Sequence, residues 1–220
     1  MQRVPEPELM DAPAQARAYA EADFSEPNAL FVERALSHLD HAGSGQLLDL
    51  GCGPGDICLR FARRLPGWRI TGLDAGPNML ALANKALDAS ELGERVEFVL
   101  ARLPAHPFSQ RFDAVVSNSL LHHLPDPMAL WHAIVELAAP GAYIQVMDLH
   151  RPPDRESAAA LVAEHAADEA EVLRQDFYNS LLAAWTGEEI EEQLQQAGLG
   201  DLTLSRPTER HWLVHGQIGS

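Results

Sequence analysis

Apolar residues along this chain follow two alternating rhythms. Short, nearly continuous runs have the length and branched-residue content of buried strands: QLLDL (46–50), RITGLD (69–74), RVEFVL (95–100), FDAVVSNS (112–119) and AYIQVMDL (142–149). Between the runs, apolar positions recur three or four apart. Ile57, Phe61 and Leu65 share a face, as do Met79/Leu80, Ala83 and Leu87, then Met128, Trp131, Ile134/Val135 and Ala138. Strand and helix in turn predict an α/β fold, a parallel sheet with covering helices. APGAY (139–143) reads as a helix stop followed by a strand start, with Gly141 free to take a left-handed turn.

The two ends depart from that rhythm. About residues 8–41 read as helix before the first strand, and 152–185 as two helices with no strand between them. TGEEIEEQLQQAG then begins with Thr186 as N-cap and Glu189 three residues on, a capping box. DLTLSRP and TERHWLVHG read as two closing strands, with His211 and His215 on one face and Trp212 turned into the sheet. One domain is expected, its sheet doubly wound and seven-stranded, mostly parallel with an antiparallel C-terminal strand.

Charge and composition narrow the partners. The formal net charge of −16 disfavours a phosphate backbone, which is bound through lysine and arginine. Between Asp154 and Glu192 there are eleven acids against Arg155 and Arg174, and the ordinary reading is a solvated helical face. Cys52 and Cys58 are too few for a disulfide framework or a zinc site. No run approaches the roughly 20 apolar residues of a membrane span, and the first fifteen residues hold no signal-peptide core. A cytoplasmic monomer or homodimer with a small-molecule partner is expected, bound neither to nucleic acid nor to membrane.

The stretch LLDLGCGPGD (47–56) carries the chemistry. A strand, a glycine-rich turn and a helix from Asp56 form a nucleotide-binding unit. The dinucleotide pattern G-x-G-x-x-G would need a small residue at Asp56, and the P-loop's G-K-[ST] is absent. An acid at the helix start would repel a pyrophosphate seated there. A nucleoside with a positive centre suits Gly51, Gly53 and Gly55 better.

These residues resemble motif I of the class I S-adenosylmethionine (SAM)-dependent methyltransferases, and the element order over roughly 40–150 matches. The resemblance implies a Rossmann-like core at 42–151, a helical lid at 1–41, a helical acceptor cap at 152–185, and a closing helix and strands at 186–220. It implies SAM as cofactor and S-adenosylhomocysteine as product, with no metal. By the same resemblance Asp49 helps hold the loop and the SAM ammonium, with Cys52 in the turn. Asp74, 23 residues after Gly51, would bind the ribose hydroxyls beside Ala75. Met79 matches an apolar residue on the adenine face, and is equally readable as core. The third strand departs from the family's usual acid: VLARLPAHPF puts Arg102 there, so Arg102 and Leu103 are only candidate adenine contacts. Ser117 and Asn118 are expected near the methionine end. Tyr19 is expected over the cofactor, with core packing as the other reading.

SNSLLHHLPDP places His122 and His123 near the transferred methyl, with Asp126 as helix N-cap and Pro127 at the first position. Side chains at i and i+1 diverge, so a shared metal ion is not expected. One imidazole could serve as general base, His122 first, or both could simply pack. Asp148, His150 and Arg151, at the end of the fifth strand, are candidates for the acceptor site, as are Arg174, Phe177 and Tyr178 of the insert. The leading reading is methyl transfer to a small molecule by in-line displacement (EC 2.1.1.-). Other SAM chemistry on the same fold, or a non-catalytic SAM-binding regulator, are the alternatives.

Overall fold

The computed structural model describes residues 1–6, 11–22 and 24–219. The strands are β1 (Gly45–Leu50), β2 (Trp68–Asp74), β3 (Val96–Leu100), β4 (Phe112–Asn118), β5 (Ala138–Leu149), β6 (Thr203–Thr208) and β7 (His211–Gln217). They form one sheet in the order 3-2-1-4-5-7-6. The first five run parallel, and β7 alone is antiparallel, both to β5 and to β6. α1 (Pro13–Glu21) and α2 (Ser25–Leu36) precede β1, while α3 (Asp56–Arg64), α4 (Pro77–Asp88) and α5 (Met128–Leu137) connect the parallel strands. After β5 come α6 (Arg155–His165), α7 (Glu171–Ala183) and α8 (Gly187–Gln196). The N-terminal helix prediction also touched residues 8–10, which lie outside the described residues. No described helix is long and apolar enough to cross a membrane.

Alternation along the strands builds the two layers. Leu47, Ala114 and Val116 point to the face covered by α2, α3 and α4, while Leu48, Leu50 and Val115 point to the face covered by α5 and α8. Helices on both faces explain why these strands read as unbroken apolar runs. Trp212 and Trp131 fill the second layer, and Trp131 Nε1 donates to Gln193 Oε1 at 2.8 Å. The strand order reverses between β1 and β4, so the loops leaving them part and open a crevice at their carboxyl ends.

Three local expectations shift. The helix stops at Leu137, and Ala138 already pairs with Phe112 as the start of β5. Gly141, with φ 80°, therefore lies in an irregular stretch of strand, where the register jumps before Ala114 meets Tyr143. Val135 is 41% exposed, because Ile134 and Trp131 set the buried face. Pro127 occupies the N-cap of α5 itself, yet Asp126 Oδ1 still accepts the Met128 N–H at 2.9 Å. The capping box on α8 forms: Glu189 Oε2 accepts from Thr186 N, and Thr186 Oγ1 from Glu189 N.

Gly55 shows how tightly the first turn is packed. It sits at φ 84°, and a Cβ there would lie 2.6 Å from the Phe98 ring and 3.0 Å from Ala83. Gly55→Ala should lower the unfolding free energy by about 2–5 kcal/mol, the sum of left-handed strain and overpacking. Urea denaturation checks this, and an unchanged midpoint would refute the packing argument.

Candidate active site

The three glycines of the first turn all have positive φ, 77°, 51° and 84°, but differ in what lies beside them. A Cβ on Gly51 would meet Leu120 at 2.9 Å, and one on Gly55 would meet Phe98, so both serve close packing. Gly53 has nothing within 4 Å of that position and faces a cavity of about 390 Å³. The turn is held to β2: Gly51 N and Cys52 N both donate to Leu73 O, and Gly53 N donates to Asp74 Oδ2 at 2.8 Å. Asp74 Oδ1 accepts from Gly76 N at 2.7 Å. Burial raises the Asp74 pKa against the pull of these two N–H groups. Each carboxylate oxygen keeps a lone pair for a ligand.

Nine of the residues expected at the cofactor line this cavity: Tyr19, Gly51, Gly53, Asp74, Ala75, Met79, Arg102, Leu103 and Asn118. Asn118 Oδ1 is buried with no hydrogen-bond partner, an open acceptor. Four others do not reach the cavity. Asp49 is 1% exposed beneath the turn, 3.3 Å from Cys58 Sγ, and burial pushes its carboxyl up to about 7. Cys52 packs inward beside Gly72, and Ser117 Oγ donates to Leu50 O at 2.8 Å, lacing β4 to β1. Gly55 is the fourth. Spacing gives a turn's residues but not which of its surfaces faces the ligand, hence the difference. Asp56 pairs locally with Arg60 and accepts from Asn28 Nδ2 at 3.0 Å. Asp11, unsuspected from the sequence, reaches α4 and accepts the Asn78 and Met79 N–H groups at 3.0 and 3.1 Å. It caps the helix from outside its own segment.

At the other end of the cavity a single 3-10 turn, Leu121–His123, follows β4. Asp148, expected in the acceptor pocket, is instead 1% exposed and bonded to this turn. Its Oδ1 lies 2.5 Å from His122 Nδ1, and its Oδ2 accepts the His122 N–H at 3.2 Å. Glu6 comes in from the N-terminal segment, with Oε1 3.6 Å from His122 Nε2 and 3.0 Å from His123 Nδ1, and it also accepts from Ser180 Oγ. The two rings do not diverge as neighbours on a strand would: the tight turn brings their centroids to 4.0 Å. Glu6, His122 and His123 thus present three ligating atoms within 4.8 Å of one another, contrary to the geometric expectation.

The pair divides its charge. Burial alone would lower the His122 pKa, but Asp148 and then Glu6 outweigh it and raise it. The His122 charge in turn holds Asp148 below the usual carboxylate value despite burial. His123 is lowered, by burial first and by the charge on His122 second. The environment therefore favours the charged form of His122 and the neutral form of His123.

Among the other acceptor candidates only Phe177 lines the cavity. Arg151 turns away to bind Glu189 at 2.7 Å and Ala184 O, so it braces α8. His150 forms a bridge with Trp185, Arg174 is exposed, and Tyr178 packs between α6 and α7. A helix of mixed polar and aromatic residues does not reveal which of them face inward. The cavity also takes Phe24, Asp176 and Ser180, together with His165, Arg210 and His211. Of the last three, strand alternation marked only His211, the first residue of β7; His165 ends α6 and Arg210 lies in the β6–β7 turn.

Residues 47–141 match a family model described as a methyltransferase domain. That segment, and the fold around it, are similar to those of SAM-dependent methyltransferases. The ubiquinone biosynthesis O-methyltransferase of Pseudoalteromonas translucida is 36% identical over 123 residues, 54% of this chain and 50% of that protein. The protein of that name from Erwinia tasmaniensis is 32% identical over 126 residues, 56% of this chain and 50% of its own. The chain spans about half the length of these curated relatives. Among solved structures, a SAM-dependent methyltransferase from Aquifex aeolicus superposes with a TM-score of 0.69 at 16% identity, over 94% of this chain and 98% of that one. A Haemonchus contortus phosphoethanolamine N-methyltransferase, solved with S-adenosylhomocysteine and phosphomonomethylethanolamine, gives 0.72 at 16%, over 94% and 57%. At that identity the likeness is one of fold.

The Asp148–His122 pair makes stability depend on pH. Asp148 lies below its ordinary 3.8 and His122 above its ordinary 6.5, so the pair contributes fully between those values. The contribution is lost on the acid side as Asp148 protonates, and on the alkaline side as pH rises through the folded His122 pKa. Asp148→Asn should cost about 3–5 kcal/mol near the middle of that window, because it leaves an uncompensated buried charge or forces His122 neutral. The deficit should shrink at alkaline pH, and urea denaturation across pH measures it.

Proposed function

We propose that this chain transfers a methyl group from SAM to a hydroxyl on a small-molecule acceptor. The observation that carries the proposal is one continuous cavity joining two kinds of wall. At one end are the open face of Gly53, the Asp74 carboxylate and the unpartnered Asn118 Oδ1. At the other is a buried histidine pair braced by two acids. The first end fits SAM: Gly53 leaves the space a Cβ would fill, Asp74 accepts from ribose hydroxyls, and Asn118 Oδ1 accepts from an ammonium. Met79, Ala75, Arg102 and Leu103 would line the adenine side. Asp49 and Cys52 would support from below, without contact.

Bound there, SAM supplies an electrophilic methyl on a sulfonium whose departure leaves a neutral thioether. The protein's part is to hold the acceptor oxygen in line and keep water out. Tyr19 and Phe24, with ring centroids 4.8 Å apart, cover the donor end, and α7 covers the acceptor end. A hydroxyl must lose its proton as the methyl arrives. His123 is the group suited to take it, being neutral, on the cavity wall, and with Nδ1 beside the Glu6 carboxylate. With Nδ1 turned toward Glu6, Nε2 is the nitrogen left to act as the base. His122, charged and enclosed, becomes a positioning residue. That exchanges the roles first expected of the two. The partial relatives, O-methyltransferases by name, favour oxygen as the accepting atom.

Asp74→Ala should weaken S-adenosylhomocysteine binding at least about ten-fold, since hydrogen bonds to a charged acceptor contribute about 1.5–3 kcal/mol each. Calorimetry reads this directly, and an unaltered affinity would remove Asp74 from the site. Once an acceptor is found by screening hydroxylated metabolites with labelled SAM, His123→Ala should lower kcat about 10²–10⁴-fold with little change in KM. The acid limb of the wild-type rate profile should fall below the ordinary imidazole value of 6.5. An acid limb above it would return the base role to His122.

A further inference from the structure

The β6–β7 turn and the start of β7 bring two adjacent side chains, Arg210 and His211, onto the cavity wall. Arg210 is half-buried on the cavity wall, its guanidinium carbon 5.7 Å from the Phe177 ring centroid. Burial lowers its pKa from the usual arginine value. Its neighbour Glu209 is committed elsewhere, accepting from His165 Nε2 at 2.9 Å. Three acids line the cavity: Asp74 belongs to the glycine turn, Asp176 accepts from Gln15 Nε2 at 2.9 Å, and Glu169 is exposed. Among the described residues, no carboxylate lies within ion-pair distance of Arg210. A guanidinium drawn partly out of water normally has an acid opposite it. The charges of Glu209 and Glu164 act on Arg210 from beyond ion-pair distance, and its cavity side is left for a ligand.

His211 adds a second donor. Thr208 Oγ1 accepts the Arg210 backbone N–H at 3.3 Å and lies 2.8 Å from His211 Nδ1. With the hydroxyl donating to Nδ1, the imidazole proton sits on Nε2. Burial first and the Arg210 charge second push the His211 pKa down to about 4, which keeps the ring neutral. Arg210 thus offers a planar fork and His211 a single N–H, from consecutive residues. Phe177, Leu173 and Leu149 supply apolar wall beside them.

We propose that Arg210 and His211 read a carboxylate on the methyl acceptor, so that the β6–β7 turn selects which small molecules reach the histidine pair. The proposal rests on the methyl-transfer reading and names the acceptor's class: an apolar or aromatic body bearing one carboxylate. A fork of donors pairs with a carboxylate in two parallel bonds, which a neutral amide of the same shape cannot match.

The test uses the full chain saturated with S-adenosylhomocysteine and two isosteric probes, 3-phenylpropanoate and 3-phenylpropanamide, titrated by calorimetry. The acid should bind about ten-fold or more tightly than the amide. Arg210→Gln should erase that preference while S-adenosylhomocysteine binding stays unchanged, and Arg210→Lys should restore it only in part. Equal binding of acid and amide, no binding of the acid, or a preference that survives Arg210→Gln would overturn the proposal. Wild-type S-adenosylhomocysteine binding is read separately in the same buffer. Its absence would sink the methyl-transfer reading and this proposal with it, whereas its presence with a failed probe pair sinks this proposal alone.

Discussion

The carboxylate of Asp148 is almost fully buried, and a buried charge persists only where its surroundings compensate it. Here the compensation comes from the His122 ring, the His122 N–H and the Leu149 N–H. Those bonds tie the end of β5 to the turn leaving β4, and they oblige His122 to carry a proton. Glu6, from the other end of the chain, sets a second carboxylate 3.6 Å from the His122 ring. Arg3 fastens the same segment by donating to the carbonyls of His122, Leu124 and Ala183, and its guanidinium lies over the Trp185 ring. One buried acid thus draws together the sheet, the histidine turn, the N-terminal strap and the cap helix.

The two halves of the cavity are built on different principles. The half around the glycine turn is local: one turn, the end of the next strand, and backbone N–H groups that cannot change with a side chain. The half around the histidine turn is assembled from segments far apart in sequence. A locally built half beside one assembled from distant segments suits a fold on which sites are varied.

That contrast also sets what could be read from the letters. Gly51 to Gly55 and Asp74 announce themselves because a turn after an apolar run has few other uses, and strand order follows from the alternation of runs and helical periods. Asp49 and Ser117 were misplaced because spacing along a strand does not distinguish the cavity from the layer beneath it. Glu6 and Arg210 carry no local signature at all, and alternation gives His211 a strand face but no role; their meaning lies in being brought beside partners more than a hundred residues away or at a hairpin. Asp148 stood in the right place on the strand but faced the other way, toward a histidine whose need for it was visible only in three dimensions.

The insertion of β7 between β5 and β6 bears on how the protein comes together. β6 and β7 are joined by a short turn and can pair as a hairpin without the rest of the sheet, while β7 must still find β5 across more than sixty intervening residues. Docking is therefore a late, long-range event, and its register has no margin. A slip of one residue would turn Trp212 out of the core and put His211 in its place. The hydrophobic cost of exposing that indole is what proofreads the alignment. The large apolar residue beside the polar pair acts as the gauge that sets the hairpin tip to the right depth.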